Sequence, residues 1–248
     1  MKKCRLGMFF KASILLFILI VPVCRLSAQT YYALPAVNVP LHLEKSEIRL
    51  FAGFTYGSEV GGSGLQVSTS ITSNIALMGN SFMLSRNHFD SPKRTKGNMH
   101  SIGIGLFAPN KHFIFEIYPG ISWGEMSFSS SADYRLEVQY YKPFIQPSIG
   151  FRTKHFETAF STGICIIKYH HIESNFTNEY VSEEIQYLRE HRKRTVFEPA
   201  FTIRYGSRRF KAQLQVAGSE NIIYHRFRQE GVMVSLGICV QFDLIANI

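Results

Sequence analysis

The stretch Gly231–Phe242, GVMVSLGICVQF, carries an apolar residue at every second position: Val232, Val234, Leu236, Ile238, Val240 and Phe242. Between them, Gly231, Ser235, Gly237, Cys239 and Gln241 are small or polar. Successive side chains of an extended chain point to opposite faces, so this is a strand with one apolar face and one small, polar face.

The same period recurs upstream. Ile48, Leu50, Ala52, Phe54 and Tyr56 alternate with Glu47, Arg49, Gly53 and Thr55, and Phe210, Ala212, Leu214 and Val216 alternate with Lys211, Gln213 and Gln215. No sustained helical period competes with it. The pattern predicts about ten strands, near 47–57, 63–72, 75–86, 98–108, 111–123, 134–151, 155–169, 195–206, 209–219 and 231–243. The apolar set changes parity at Met78 to Phe82 and at Tyr140 to Pro143, where a bulge is expected. Joints are alternately tight (Ser73-Asn74, Pro109 to Lys111, Arg152 to Lys154, Gly206 to Arg208) and long, the longest being Arg86 to Gly97, Gly124 to Asp133 and His170 to Arg194. One end therefore carries turns and the other loops.

The chain begins with Lys2, Lys3 and Arg5, an aliphatic run from Ile14 to Val23, and small residues before Gln29. That order reads as a secretory signal over 1–28, too short at its apolar centre for a membrane helix. Val23 before Cys24 argues against a lipidated cysteine. Removing the signal takes Cys4 and Cys24, leaving Cys165 and Cys239, which make no disulfide framework. It also removes five of 27 basic residues and none of 18 acidic ones, so the net charge falls from +9 to +4 and nucleic acid is not indicated as a partner. Residues 29–46, punctuated by Pro35 and Pro40, read as an extended periplasmic lead-in; 47–243 as the barrel; 244–248 as a short tail.

Period two alone does not say whether the apolar face meets a core or lipid. The intervening positions are rich in Gly, Ser, Gln and isolated charges, as in a polar lumen, and strands of nine or more residues suit a tilted bilayer crossing. Aromatics flank the tight turns (Phe107, Phe113, Phe151, Phe156, Tyr205, Phe210) and the loop ends (Tyr56, Trp123, Tyr134, Tyr169, Tyr224), as membrane interfaces select. Only a closed sheet leaves no backbone edge in hydrocarbon. The expected fold is all-β, a closed antiparallel transmembrane barrel of about ten strands, with eight as the alternative count. An even count puts both termini at the periplasmic, tight-turn end.

Ser235-x-Gly237-x-x-Val240-x-Phe242 resembles the C-terminal insertion signal of outer-membrane barrel proteins, with Asp243 to Ile248 added after the aromatic. The start Tyr32-x-x-Pro35-x-x-x-x-Pro40-Leu41-x-x-Glu44-Lys45-x-Glu47 is similar to a group of uncharacterised exported barrels. Small Gram-negative outer-membrane barrels of the OmpA, OmpX and omptin size class are the family resembled. The resemblance implies a location in the cell outer membrane and contact with outer-membrane lipid, lipopolysaccharide and the barrel-insertion machinery; no protein partner is identifiable.

By parity Glu47, Arg49, Glu116, Glu157, Glu198, Arg204 and Lys211 face the lumen, with Glu157 and Arg204 near enough to pair. They read as a charge network plugging the interior, or else as a selective ion path. His170, His171, Glu173 and His191, with His88 and Asp90, lie in loops without ligand spacing on one face, so no metal and no cofactor is expected. Tyr169 to Asn175 is faintly similar to the His-x-Ser-Asn run of lipid A deacylases, with a residue inserted, and the loop side lacks the acidic pair of omptins. The charge order from Glu183-Glu184 to Arg189, Arg192, Lys193 and Arg194 suits a short helix. Lys93, Arg94 and Lys96 form a second basic loop, read as a solvated face or as a contact for surface phosphates. The expected function is a non-enzymatic envelope component or surface interaction module. The alternative is a narrow pore for small solutes or ions, ahead of a lipid A-modifying or protease-type enzyme.

Overall fold

A computed structural model of the protein describes residues 32–57, 60–87, 94–129, 135–175, 179–223 and 231–243. The expectations placed on 1–28, on His88, Asp90, Lys93, Asp133, Tyr134 and Tyr224, and on 244–248 lie outside these residues.

The strands are β1 (Glu47–Gly57), β2 (Gly61–Ser70), β3 (Ile75–Asn87), β4 (Arg94–Asn110), β5 (Phe113–Ser129), β6 (Arg135–Arg152), β7 (Phe156–Ser174), β8 (Lys193–Gly206), β9 (Phe210–Gly218), the two-residue β10 (Glu220–Asn221) and β11 (Val232–Asp243). One helix, α1 (Glu179–Glu190), joins β7 to β8. Every neighbouring pair is antiparallel. β9 bonds to β8 on one side and β11 on the other, and β11 pairs with β1 from Glu47↔Asp243 to Gly57↔Met233, which closes a barrel of ten long strands. β10 pairs with β8 just beyond Ser219, after β9 ends.

The outer surface carries large apolar side chains all round, among them Leu65, Ile104, Phe115, Ile149, Leu214 and Ile238, at 41–57% exposure. A water-soluble monomer rarely shows so continuous an apolar band. On β5, Phe113 and Trp123 are both outward and ten residues apart. At about 3.3 Å per residue and a tilt near 40° they stand about 25 Å apart along the barrel axis, the height of a membrane barrel's apolar band. Phe113, Tyr205, Phe210 and Phe242 form the belt at the turn end; Tyr56, Trp123 and Tyr141 form the other. Phe107 and Tyr169, assigned to these belts from the sequence, instead point inward at 2% and 3% exposure. On β4 it is Ile102, Ile104 and Leu106 that face out, so the period of two turns Phe107 in.

The parity changes have a different cause from a bulge. β6 keeps one parity from end to end: even-numbered residues face in and odd ones face out. What changes is the chemistry. Inward residues run Leu136, Val138, Tyr140, then Lys142, Gln146, Ser148, Arg152, while outward ones run Arg135, Glu137, Gln139, then Tyr141, Ile145, Ile149. The switch falls at Tyr141, the belt level, where the outer surroundings pass from water to hydrocarbon. β3 likewise keeps an unbroken register with both neighbours through Met78 to Phe82. A register shift does lie between Gln139 and Tyr140, but the extra residue is His170 on β7, since Gln139 pairs with His171 and Tyr140 with Tyr169.

The barrel thus has two storeys. Within the membrane band the lumen is largely polar. Above it β3 to β7 continue, enclosing Phe82, Leu84, Met126, Phe128, Leu136, Val138, Tyr140 and Tyr169, with Ile185 and Leu188 of α1 packed onto them. Arg194, read from the sequence as a loop cation, is fully buried at the foot of this storey, 5.1 Å from the Tyr187 ring.

Leu236 is 54% exposed near the middle of the band. Leu236→Arg places a charge against acyl chains and is expected to lower unfolding free energy in lipid vesicles by about 2–4 kcal/mol. A variant as stable as the parent in urea titration would move the membrane away from this face.

Candidate functional site

The lead-in is extended, but residues 32–42 are buried, and they run inside the barrel instead of hanging below it. The periplasmic placement expected from the sequence is corrected accordingly. The reason is chemical. From Gln29 to Leu43 there is no Lys, Arg, Asp or Glu, and Pro35 and Pro40 lack N–H donors, so the segment is easier to desolvate than a tether made for water.

Buried backbone groups need partners, and lumen side chains supply them. Gln215 brackets Val37, accepting from its N–H at 2.7 Å and donating to its carbonyl at 2.9 Å. Gln66 donates to the Ala36 carbonyl (2.6 Å), Gln146 to Asn38 (2.7 Å), Arg204 to Val39 (2.7 Å) and Arg152 to Leu41 (2.7 Å). Glu116 accepts from the His42 N–H at 3.0 Å, and Glu47 from the Leu43 N–H at 3.0 Å. These partners come from β1, β2, β5, β6, β8 and β9, so the strap is held from all round. Eight-stranded barrels fill with their own side chains; a wider, ten-stranded one leaves axial room that the strap takes up. Leu41 sits at φ 55, a conformation that side-chain-bearing residues rarely adopt, with its side chain pressed against Gly150, where a Cβ would overlap it.

At the turn end the strap meets a cluster of charges. Glu157, 1% exposed, meets four cations: it accepts from Arg49 in a fork of 2.7 and 3.0 Å and from Arg204 at 3.2 Å, and forms ion pairs with Lys211 at 3.2 Å and Arg152 at 3.3 Å. Glu47 pairs with Arg152 (2.7 Å) and Arg49 (3.1 Å), and lies 3.8 Å from His42. Gln213 and Gln241 take up further guanidinium protons. Higher up, Lys142 donates to both Glu198 oxygens at 2.9 and 3.1 Å and to the Tyr32 hydroxyl, which itself donates to Glu198 at 2.6 Å. The structure therefore places Glu47, Arg49, Glu157, Arg204 and Lys211 in one group, Glu116 on the strap, and Glu198 in the separate upper pair.

Sequence reasoning missed Arg152, assigned to a turn, and Lys142, hidden in the parity change at Tyr140 to Pro143. It also missed Tyr32, His42 and the three glutamines, for which the uncharged run 29–43 was the available signal. Of the insertion-signal residues, Ser235 lies 2.8 Å from the Thr55 hydroxyl, Val240 and Phe242 face outward, and Gly237 lies under the Phe51 ring, where a Cβ would meet it at 2.6 Å. His170, His171 and Glu173, expected in a loop, lie instead on β7, where His171 stands 3.1 Å from Glu173; past α1, His191 stacks on Tyr187 at 4.2 Å.

No family model and no curated protein matches the chain. Among solved structures it is similar to the NanC porin (12% identity, TM-score 0.39, covering 79% of this chain and 100% of that one). It is also similar to the outer membrane protease OmpT of Escherichia coli (9%, 0.42, 79% and 95%) and to the KdgM porin in complex with disordered oligogalacturonate (12%, 0.34, 79% and 99%). The chain folds as a closed ten-stranded antiparallel barrel, an architecture it shares with these outer-membrane proteins. With a protease among these barrels, the expectation that the chain is not an enzyme is withdrawn, since fold does not imply function.

Proposed function

We propose that this is an exported Gram-negative outer-membrane protein, directed by the signal at 1–28 and by Ser235 to Phe242, whose lumen is kept shut by its own N-terminal strap. It then acts as an envelope component or surface interaction module through the storey above the membrane. The observation that carries this reading is the strap's backbone, bonded from six strands to lumen side chains. A narrow pore is the second reading. It is favoured by the polar lumen and by a strap held through side chains without a backbone ladder, which could leave without unzipping the sheet.

Single-channel recording in a planar bilayer tests the choice. The wild-type protein is expected to stay silent at moderate voltage; steady conductance would establish the pore instead.

A further inference from the structure

A row of outward side chains crosses five strands at the level of the upper aromatic belt. His100 on β4, Trp123 on β5, Tyr141 on β6, Lys168 on β7 and Lys193 on β8 are successive cross-strand partners. The His100 and Trp123 rings are 6.0 Å apart, and Lys168 Nζ stands 5.3 Å from the Tyr141 ring centre. The extra residue of β7 adds an exposed His170 whose ring is 6.2 Å from Tyr141.

Two features of this row point to an anion. Lys168 and Lys193 stand directly opposite each other, a like-charge pairing that destabilises a sheet unless something neutralises it. Among the described residues neither lysine forms an ion pair with a carboxylate. Immediately toward the membrane centre, Ile102, Ile104, Ile121, Ile145 and Ile164 are exposed at 40–56%. A bound group must therefore be negative at the interface and apolar just below it, which describes a lipid and excludes a free phosphate ion.

We propose that this face of β4 to β8 binds the phosphorylated headgroup of an outer-leaflet lipid, with the phosphate between Lys168 and Lys193 and the acyl chains over the isoleucines. The inference rests on the outer-membrane placement proposed above and supplies its lipid contact. Trp123 is the one tryptophan of the chain and lies in the row, so its emission reports occupancy directly.

The test uses the full mature protein in zwitterionic phospholipid vesicles doped with a bis-phosphorylated, lipid A-type glycolipid or with the same glycolipid after dephosphorylation. Saturable change in Trp123 emission is expected, with half-saturation about tenfold lower for the phosphorylated form, the size of one or two charge-assisted hydrogen bonds. Inorganic phosphate in millimolar amounts is expected not to compete. Lys168→Gln with Lys193→Gln should abolish the preference, whereas Lys111→Gln with Lys154→Gln at the opposite end should leave it intact. Equal response to the two glycolipids, displacement by inorganic phosphate, or a preference that survives the double substitution would overturn the site. Failure of a lipid-borne quencher to reach Trp123 at all would instead remove the membrane placement and this site with it.

Discussion

Glu157→Gln is expected to cost the barrel about 3–5 kcal/mol, the penalty for breaking a buried ion pair by removing one partner. The substitution keeps the shape and deletes the charge, so Arg49, Arg152, Arg204 and Lys211 remain together without the carboxylate that all four reach. Glu47 still neutralises Arg49 and Arg152, but Arg204 and Lys211 have no second carboxylate partner among the described residues. Glu198→Gln makes a useful contrast: one cation, Lys142, and the Tyr32 hydroxyl lose a partner there, and a smaller loss is expected. Urea unfolding in vesicles, followed by heat-modifiable migration, measures both. Equal stability of Glu157→Gln and the parent would mean that water reaches the cluster and that the lumen is not sealed at the turn end.

Deleting residues 32–43 is expected to turn both remaining thiols from protected to reactive. Cys165 and Cys239 are unpaired and buried, and both lie on inward-facing positions of their strands. With the strap in place both thiols are buried, and slow labelling by a membrane-impermeant maleimide is expected. Without it the axial space fills with water, and labelling is expected to accelerate on the order of a hundredfold, the difference between waiting for a local opening and standing open. Closure of the sheet does not depend on the strap, because β1 pairs with β11 directly, along a ladder from Glu47↔Asp243 to Gly57↔Met233. Should an inserted, heat-modifiable deletion variant keep both thiols protected, side-chain collapse and not the strap would be what closes the lumen.

Much of this architecture was legible from alternation alone. Residues such as Glu157 and Arg204 could be set on one face, and on neighbouring strands, because a two-residue period fixes facing wherever a strand is recognised. The reading failed at Met78 to Phe82 and Tyr140 to Pro143 because it took an apolar side chain as a mark of one face. Crossing the membrane surface exchanges the environments: lipid gives way to water outside, and a polar lumen to an apolar core inside. Val138 faces in and Ile145, on the same strand, faces out, and both do so to avoid water. Hydropathy marks where water is absent, not which side of the sheet is the inside.

The sequence by itself determined strand periodicity, antiparallel order and the sense of turns and loops, all of which follow from neighbours along the chain and the geometry of an extended backbone. Only the tertiary structure decided that the uncharged N-terminal run enters the lumen, that Glu157 gathers four cations, and that α1 covers a second, apolar storey. Those depend on which groups from six or more strands converge on one axis, and that convergence is set by closure and register, which no local pattern records.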